Sequence, residues 1–333
     1  MENFTVVDYV WLGGNGELRS KSRVIYDTIT SIEQIPIWNY DGSSTGQAVG
    51  DSSEILIHPK RIFRCPFRKP NGLIVICDTY RKDGTPALYN HRVEAQKIFN
   101  EYEYEKPWYG LEQEYFMYDV TTNQPLGFEK AVKQGQYYCS VGANNIFGRI
   151  IMDEHMDACL YAGIKISGTN AEVAPAQFEY QIGPVEGIDA ADQLWVSRYI
   201  LEKLTEKYDV YIVYHPKPLG NHWNGSGCHT NFSTENMRKS GGMDVILSAI
   251  DKLKNAHLDH MKVYGDSNEE RMTGSHETAD YNTFTSGIGD RTASIRIPND
   301  TAINGYGYFE DRRPASNCDP YLVTSIILRT ICL

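Results

Sequence analysis

The sequence lacks any long uninterrupted run of apolar residues. The longest apolar stretches lie at Leu73 to Cys77 and within Leu322 to Leu333, and neither approaches the roughly 18 residues that a membrane-spanning helix needs. The first residues, Met1 to Phe4, do not place basic residues before an apolar stretch, as a secretory signal would. We therefore expect a cytoplasmic protein with no membrane partner.

Basic residues are the scarcer charged class. Lysine and arginine number 32 against 43 aspartates and glutamates, which gives a net charge of −11. A negative surface repels the phosphates of nucleic acids, so the composition argues against a nucleic-acid partner. The seven cysteines are odd in number and form no C-x-x-C pair. A disulfide framework and a zinc ribbon explain them poorly, and a reducing compartment explains them better.

The common phosphate-binding motifs are also missing. Neither a Walker A sequence nor a G-x-G-x-x-G sequence occurs in the chain. His257 and His260 lie three residues apart on a predicted helix, but no third ligand lies nearby in the sequence. We assign this histidine pair to a helix surface rather than to a metal site.

The length of 333 residues predicts roughly two domains. In the first 80 or so residues, Gly13 to Gly16 predicts a hairpin turn, and Leu73 to Asp78 predicts a buried strand. Arg81 to Pro86 is polar and rich in turn residues. We place the domain boundary there, between an N-terminal domain of residues 1–84 and a second domain of residues 85–333.

The second domain mixes helices with strands. Alternation predicts a strand from Trp108 to Val120. Helices are predicted at a segment capped by Asn90, over 150–161, 189–208 and 243–264, and after Asp319, where proline occupies the first helical position. Strands followed by helices and further strands indicate the α+β class rather than regular βαβ units.

Two glutamates occupy alternate positions of the predicted strand at 108–120. Because side chains on a strand alternate between faces, Glu112 and Glu114 point to the same side. Two like charges about 4 Å apart repel by about 4 kcal/mol at an effective dielectric of about 20. The pair therefore needs either a water-facing sheet surface or a bound cation, and the pattern alone leaves both open.

More acidic residues and one histidine follow. Pro175 interrupts the strand pattern between Glu172 and Glu179, so alternation cannot relate these two glutamates. Glu179 shares a face with Gln181, and that face could again be water-facing. His229 follows a glycine-rich segment whose backbone could approach a ligand closely, although a lone histidine is more often structural.

Arginines lie near apolar strand residues towards the end of the chain. Arg291 and Arg296 could bind carboxylate or phosphate, and Glu310 shares a strand face with Arg312. Plain ion pairs are the alternative. Oxygen ligands with one imidazole suit Mg²⁺ or Mn²⁺ better than zinc, and together with arginines they indicate phosphoryl-transfer chemistry. A metal-dependent hydrolase fits the same pattern.

Several longer motifs decide between these possibilities. They are Trp38 to Thr45, Gly110 to Glu114, Asn170 to Pro184, Asn224 to Thr234, the region around Glu277, Ala293 to Pro298 and Phe309 to Pro314. In this order and spacing, the chain resembles glutamine synthetase of the class typical of eukaryotes. The resemblance runs from about residue 8 to the C-terminus.

The resemblance implies an ATP-dependent ligase that joins ammonia to the γ-carboxylate of glutamate through a γ-glutamyl phosphate. It implies two to three Mg²⁺ or Mn²⁺ ions in each site. The ligands of the metal nearest glutamate would be Glu114, Glu172 and Glu179. The ligands of the metal that arrives with ATP would be Glu112, His229 and Glu310.

The resemblance also implies roles for residues that do not bind metal. The nucleotide set is Trp108, Glu112, Glu179, Asn231, Phe232, Ser233, Arg291, Arg296 and Tyr308. The set for glutamate and the phosphates is Trp223, Arg271, Arg291, Arg296 and Arg312. The catalytic set is Arg296, Asp41, which takes a proton from ammonium, and Glu277, which closes as a flap over the intermediate.

The implied fold is α+β, with a small N-terminal β-grasp-like domain and a larger catalytic domain whose curved antiparallel sheet is backed by helices. The implied assembly is a decamer of two stacked pentameric rings with active sites between subunits. Ser275, Asn299 and His222 depart from the family pattern near the flap and the nucleotide. Two alternatives stay open, namely a relative that joins glutamate to another amine and a relative without catalytic activity.

Overall fold

The computed structural model describes residues 3–130 and 133–333, and its strands form two sheets. The first sheet has five strands, β1 to β5, at Thr5–Leu12, Leu18–Ile25, Trp38–Asp41, Glu54–Arg64 and Gly72–Arg81. Their order is β2-β1-β5-β4-β3, with β1 and β5 parallel and the other neighbours antiparallel. The predicted hairpin after β1 and the predicted buried strand, now β5, are both confirmed.

Strand β1 buries side chains on both faces of the first sheet. Tyr9 and Trp11 belong to a small core formed within residues 7–87, whereas Val10 and Leu12 point to the opposite face and join the main core. Successive side chains on a strand point to opposite faces, so this nearly continuous apolar run covers both. The first sheet therefore forms one wall of the main core.

The second sheet is larger and curved. Its nine strands, β6 to β14, are Trp108–Asp119, Gln124–Pro125, Ile166–Ala171, Gln177–Glu186, Val210–Val213, Cys228–Ser233, Ser286–Ile288, Ile295–Ile297 and Phe309–Asp311. The main order is β12-β13-β14-β11-β6-β9-β8, with β7 and β10 also paired to β6. All neighbours are antiparallel apart from β12 and β13. Strand β6 lies at the centre of this sheet.

Helices α2 and α3 cover one face of the second sheet. The helices of the structure, α1 to α8, are Arg92–Glu101, Arg149–Ala162, Asp189–Thr205, Gly242–Asn255, His257–Met261, Asn268–Arg271, Asn299–Asn304 and Pro320–Cys332. Helix α3 packs on β6 and β9, and every residue from Ala190 to Leu201 is buried. Among residues 3–130 and 133–333, no helix has both the length and the apolar character needed to cross a bilayer. The α+β class is confirmed.

Some helix boundaries follow the sequence signals and others do not. Gly163 ends α2 in a left-handed conformation, and the Asp319 side chain caps α8 by accepting a hydrogen bond from the amide of Tyr321. The predicted cap by Asn90 is wrong. His91 occupies the capping position of α1, and the Asn90 side chain instead donates to the carbonyl of Thr79 at 2.6 Å.

The helix predicted over 243–264 is also wrong, because the structure has two helices, α4 and α5, separated at Ala256. The placement of His257 and His260 on a helix surface is wrong as well, since both are buried. His260 bonds the hydroxyls of Tyr264 and Thr330 at 2.7 and 2.8 Å. These hydrogen bonds offset the loss of water around the ring, and no local pattern predicts a partner as distant in the chain as Thr330.

A buried carboxylate joins the first sheet to α3. Asp8 on β1 accepts hydrogen bonds from Ser22, from Arg68 at 3.2 Å and from Lys203 of α3 at 3.2 Å. Burial alone would raise the pKa of Asp8, but the Ser22 hydrogen bond and the charges of Lys203 and Arg68 outweigh burial and lower it. The junction between the two sheets therefore contains a charge that is held in its ionised form.

We expect Asp8→Asn to lower the free energy of unfolding by about 1–3 kcal/mol, because Lys203 and Arg68 lose a charged acceptor. A carboxyl with a lowered pKa stabilises the fold above its unfolded value of about 3.9, and this stabilisation is lost as the pH falls further. The difference in the free energy of unfolding between variant and wild type should therefore be largest near neutral pH and should shrink in acid.

Urea unfolding followed by tryptophan fluorescence would measure this difference. Glu54→Gln, at an exposed site of the same sheet, is the control, and equal destabilisation by both variants would contradict the role of Asp8.

Candidate active site

The face of the second sheet that helices leave uncovered lines a polar cavity of about 490 Å³, which we call the acidic cavity. On β6, Leu111, Gln113 and Tyr115 are buried beneath the sheet, while Glu112 and Glu114 face the cavity. The predicted alternation of side chains along this strand is therefore confirmed. The two glutamates face an enclosed site rather than the outer surface of a sheet.

Three strands bring the first group of ligand-type side chains together. Glu112 of β6 lies opposite His229 of β11, and β11 pairs in turn with β14, which carries Glu310. The imidazole Nδ1 of His229 lies 3.4 Å from a Glu112 oxygen and 3.5 Å from a Glu310 oxygen. We call these three residues the histidine cluster.

A second group lies beside the first. Glu114 of β6 pairs directly with Glu179 of β9, and the turn between β8 and β9 adds Glu172. The ligand oxygens of these three glutamates lie within 4.8 Å of one another, as do the ligand atoms of the histidine cluster. We call this group the carboxylate cluster.

The carboxylate cluster is electrostatically crowded. Burial raises the pKa of Glu114, Glu172 and Glu179, and the neighbouring carboxylates raise it further. Burial lowers the pKa of His229, with nearby arginines adding to the effect, so its ring is neutral and can bind a metal. The carboxylate oxygens of both clusters are the donors that a hard divalent cation prefers, and such a cation would relieve the repulsion.

Arginines border the histidine cluster. Arg296 and Arg312 both donate to the carboxylate of Glu310, Arg312 at 2.7 Å. Arg271 is fully buried and donates to the main-chain carbonyls of Arg312 and Arg313, and burial lowers its pKa to about 10. Arg291 lines the same cavity. The four predicted arginines therefore meet at one wall of the site.

A second cavity, of about 450 Å³, adjoins the first. Trp108, Pro184 and Tyr308 give it a ring-rich wall, and Glu112 and Gln181 line both cavities. Asn231 and Ser233 of β11 also line it. Phe232, between them on the strand, packs its ring against Tyr109 and Phe309 in the core, so its side chain points away from the cavity.

Two predicted site residues do not join these cavities. The Trp223 ring lies near Phe128, with centroids 6.0 Å apart, in a small apolar cluster beside the site. Asp41 is exposed at the end of β3 in the first sheet, and hydrogen bonds from Ser44 and Ser43 lower its pKa to about 2. Glu277 does line the acidic cavity, at its rim.

Sequence reasoning missed polar residues that hold the carboxylate cluster. Asn170 donates to Glu172 at 3.0 Å, and Gln181 donates to Asn170 at 2.9 Å and also to Glu179. Strand alternation puts Gln181 on the face of Glu179, which was a usable signal. Arg238, whose guanidinium lies 4.0 Å from the centroid of the Trp108 ring, gave no sequence signal.

The chain matches two family models. The model described as glutamine synthetase, beta-Grasp domain, matches residues 3–82, and the model described as glutamine synthetase, catalytic domain, matches residues 90–250. The chain belongs to the glutamine synthetase family. The β-grasp expectation for the first sheet is thereby confirmed.

Known proteins agree with the glutamine synthetase assignment along nearly the whole chain. A protein named putative glutamine synthetase from Acanthamoeba polyphaga mimivirus is 66% identical over 99% of this chain and 95% of its own length. Two plant proteins are 53% identical over 98% of this chain and 93% of their own lengths. They are named glutamine synthetase root isozyme 3, from Zea mays, and glutamine synthetase cytosolic isozyme 1-1, from Oryza sativa.

We expect Glu172→Gln to change stability and cation binding in opposite directions. Without cations, the substitution replaces a carboxyl whose ionisation is opposed by its neighbours with a neutral amide, so the unfolding temperature should rise. A carboxyl whose pKa is raised in the folded state makes the fold less stable as the pH rises from its unfolded pKa towards its folded pKa. The stability gained by Glu172→Gln should therefore grow with pH over that range. With Mn²⁺, loss of a ligand should weaken binding at least about tenfold.

Calorimetric titration with Mn²⁺ and thermal unfolding with and without the ion would measure both effects. Glu94→Gln, on the exposed side of α1, is the control and should change neither quantity. Unchanged Mn²⁺ affinity in Glu172→Gln would contradict the assignment of the carboxylate cluster to a metal.

Proposed function

We propose that this chain ligates ammonia to the γ-carboxylate of L-glutamate with the hydrolysis of ATP, through a γ-glutamyl phosphate. The observation that carries the proposal is the junction of the two cavities at Glu112. A nucleotide whose base lies among the rings of one cavity would extend its phosphates across Glu112 into the other. The γ-phosphate would then lie beside both ligand clusters, where glutamate also binds.

The clusters divide the cations between the two substrates. In the proposal, Glu114, Glu172 and Glu179 hold a divalent cation near glutamate, and the histidine cluster holds one that arrives with the nucleotide. Such cations neutralise charge on the transferred phosphoryl group. Mg²⁺ and Mn²⁺ fit this donor set, which has five carboxylates and one neutral imidazole.

The base and the phosphates would occupy opposite ends of the cavity pair. Trp108 and Tyr308 offer ring faces to the purine, while Asn231 and Ser233 offer polar groups along β11. Glu112 and Glu179 lie towards the phosphate end. Arg296 and Arg291, in the acidic cavity, would contact the phosphates. Phe232 would contribute through its main chain, since its ring lies in the core.

The arginine wall serves the chemical steps. A γ-carboxylate oxygen of glutamate attacks the γ-phosphorus of ATP, and ADP leaves. The nitrogen of ammonia then attacks the activated carbonyl carbon, and phosphate leaves. Arg271 and Arg312 hold glutamate and its carboxylates, and Arg296 donates to the phosphoryl oxygens as charge develops on them. Trp223, outside the cavity, would act only through the adjoining segment that carries Asn224.

Two groups complete the site. Glu277, at the rim, closes over the acyl phosphate and excludes water, which would otherwise hydrolyse it. Asp41 accepts the proton of an ammonium ion that is bound at the active site of a neighbouring subunit. The assembly proposed for this is a decamer of two stacked five-membered rings. The exposure of Asp41 and its absence from the lining of both cavities support a site that is completed by a partner. We also propose a cytoplasmic location and a domain boundary at residues 84 and 85.

We expect the purified protein to release phosphate from ATP in the presence of glutamate and Mg²⁺, to do so much faster with ammonium, and to form glutamine. Glu310→Ala and Asp41→Ala should each lower glutamine formation by at least about 10³-fold while the fold is retained. Asp83→Asn is the matched control for Asp41, because Asp83 is also exposed and accepts hydrogen bonds from a nearby threonine. Near-normal synthesis by Asp41→Ala would remove that residue from the mechanism, and turnover with another amine alone would replace ammonia as the substrate.

Mixing two inactive chains tests the shared site. If Asp41 acts on the neighbouring subunit, co-expression of Asp41→Ala and Glu310→Ala should restore activity. Random assembly leaves about a quarter of the sites with both native groups, so about a quarter of wild-type activity should return. No recovery in co-purified mixed oligomers would mean that both residues serve the site of their own chain.

A further inference from the structure

The loop at residues 273–280 has a strained backbone at its tip. The antiparallel bridge between Thr273 and Asp280 closes its base. At the tip, His276 and Glu277 have φ angles of 55° and 61°, two consecutive non-glycine residues in the left-handed region. Such a conformation persists only where surrounding contacts hold it.

Both nitrogens of the His276 ring make such contacts. Nε2 lies 2.9 Å from the main-chain carbonyl of Asn221, and Nδ1 lies 3.4 Å from the side-chain nitrogen of Gln134. A carbonyl can only accept and an amide nitrogen can only donate. Both contacts are therefore satisfied by the neutral ring with its proton on Nε2.

Gln134 joins this loop to the site. Its side-chain oxygen accepts a hydrogen bond from the main-chain amide of Asn224 at 2.7 Å. In the same segment, the amide of Gly227 donates to Glu114 of the carboxylate cluster at 2.9 Å. The amide of Gly135, next to Gln134, donates to the carbonyl of Val173, which adjoins Glu172. Gln134, through its side chain, and Gly135, through its main-chain amide, thus connect the loop to the two segments that hold the cluster.

We infer that His276 and Gln134 form a latch that holds the loop of residues 273–280 closed over the acidic cavity, with Glu277 at its rim. Both are positioning residues, since they act through Glu277 and not on the substrates. The main-chain carbonyl of Glu277 also accepts from Arg312 at 3.4 Å, so the latched loop reaches the arginine wall. The inference rests on the proposed function, in which closure protects the γ-glutamyl phosphate from water.

A broken latch should divert the intermediate. Attack by ammonia gives glutamine and phosphate, whereas attack by water gives back glutamate and phosphate. Phosphate released per glutamine formed therefore measures how well the loop excludes water. In wild type this ratio should be about one when the loop closes fully.

The variants separate the ring from the backbone. His276→Gly removes the ring but keeps a residue that accepts a positive φ, so it relieves strain while breaking the latch. Gln134→Ala breaks the same latch from another segment and leaves the loop sequence unchanged. Asn221→Ala is the control, because Asn221 contributes only its main-chain carbonyl.

We expect His276→Gly and Gln134→Ala each to raise the phosphate-to-glutamine ratio several-fold, and the double variant to raise it no further than the single ones. Asn221→Ala should keep the wild-type ratio. A wild-type ratio in His276→Gly or Gln134→Ala, or an equal rise in Asn221→Ala, would overturn the latch.

A second measurement tests the latch independently of the reaction. Amide hydrogen exchange across residues 273–280, without substrates, should be faster in Gln134→Ala than in wild type or Asn221→Ala. If wild type makes no glutamine but this difference appears, the proposed function fails and the latch stands. If glutamine is made and exchange is unchanged in Gln134→Ala, the latch fails alone.

Discussion

Repulsion among buried carboxylates is the constraint that the rest of this structure serves. The five glutamates and one neutral histidine of the two clusters face a single cavity, and charge repulsion among the carboxylates opposes that arrangement. Cross-strand register brings them together, since Glu114 pairs with Glu179 and Glu112 with His229. The free energy that holds them there comes from elsewhere in the fold.

Residues next to the ligands in the sequence supply part of that stabilising free energy. Gln113, between Glu112 and Glu114, points beneath the sheet and accepts hydrogen bonds from the buried Arg198 at 2.6 and 2.9 Å. Asp311, next to Glu310, forms a fully buried ion pair with Arg313 and accepts from Tyr264 at 2.7 Å. Strands β6 and β14 are thus anchored on the face turned away from the cavity, so a shift in their register would leave charged groups unpaired.

Local patterns predicted the parts of this arrangement that lie within one strand. Alternation placed Glu112 and Glu114 on one side, and Glu179 with Gln181. It did not relate β6 to β11 or β14, because register between distant strands depends on side chains that meet only in the fold. Family motifs grouped the ligands, yet Trp223 lies outside both cavities. The burial of His257 and His260 also escaped local reasoning, since Tyr281 and Thr330, which bond to these rings, lie far from them in the sequence.

The hydrogen bonds around Asp41 make it a very weak proton acceptor in the isolated chain. With a pKa of about 2, its carboxylate attracts a cation strongly but would return a proton to the solvent almost at once. Its basicity can rise only if a neighbouring surface excludes water from it or draws away Ser43 and Ser44. In the proposed ring, assembly would therefore set the acid–base strength of this group as well as its location, and a dissociated chain would lack both.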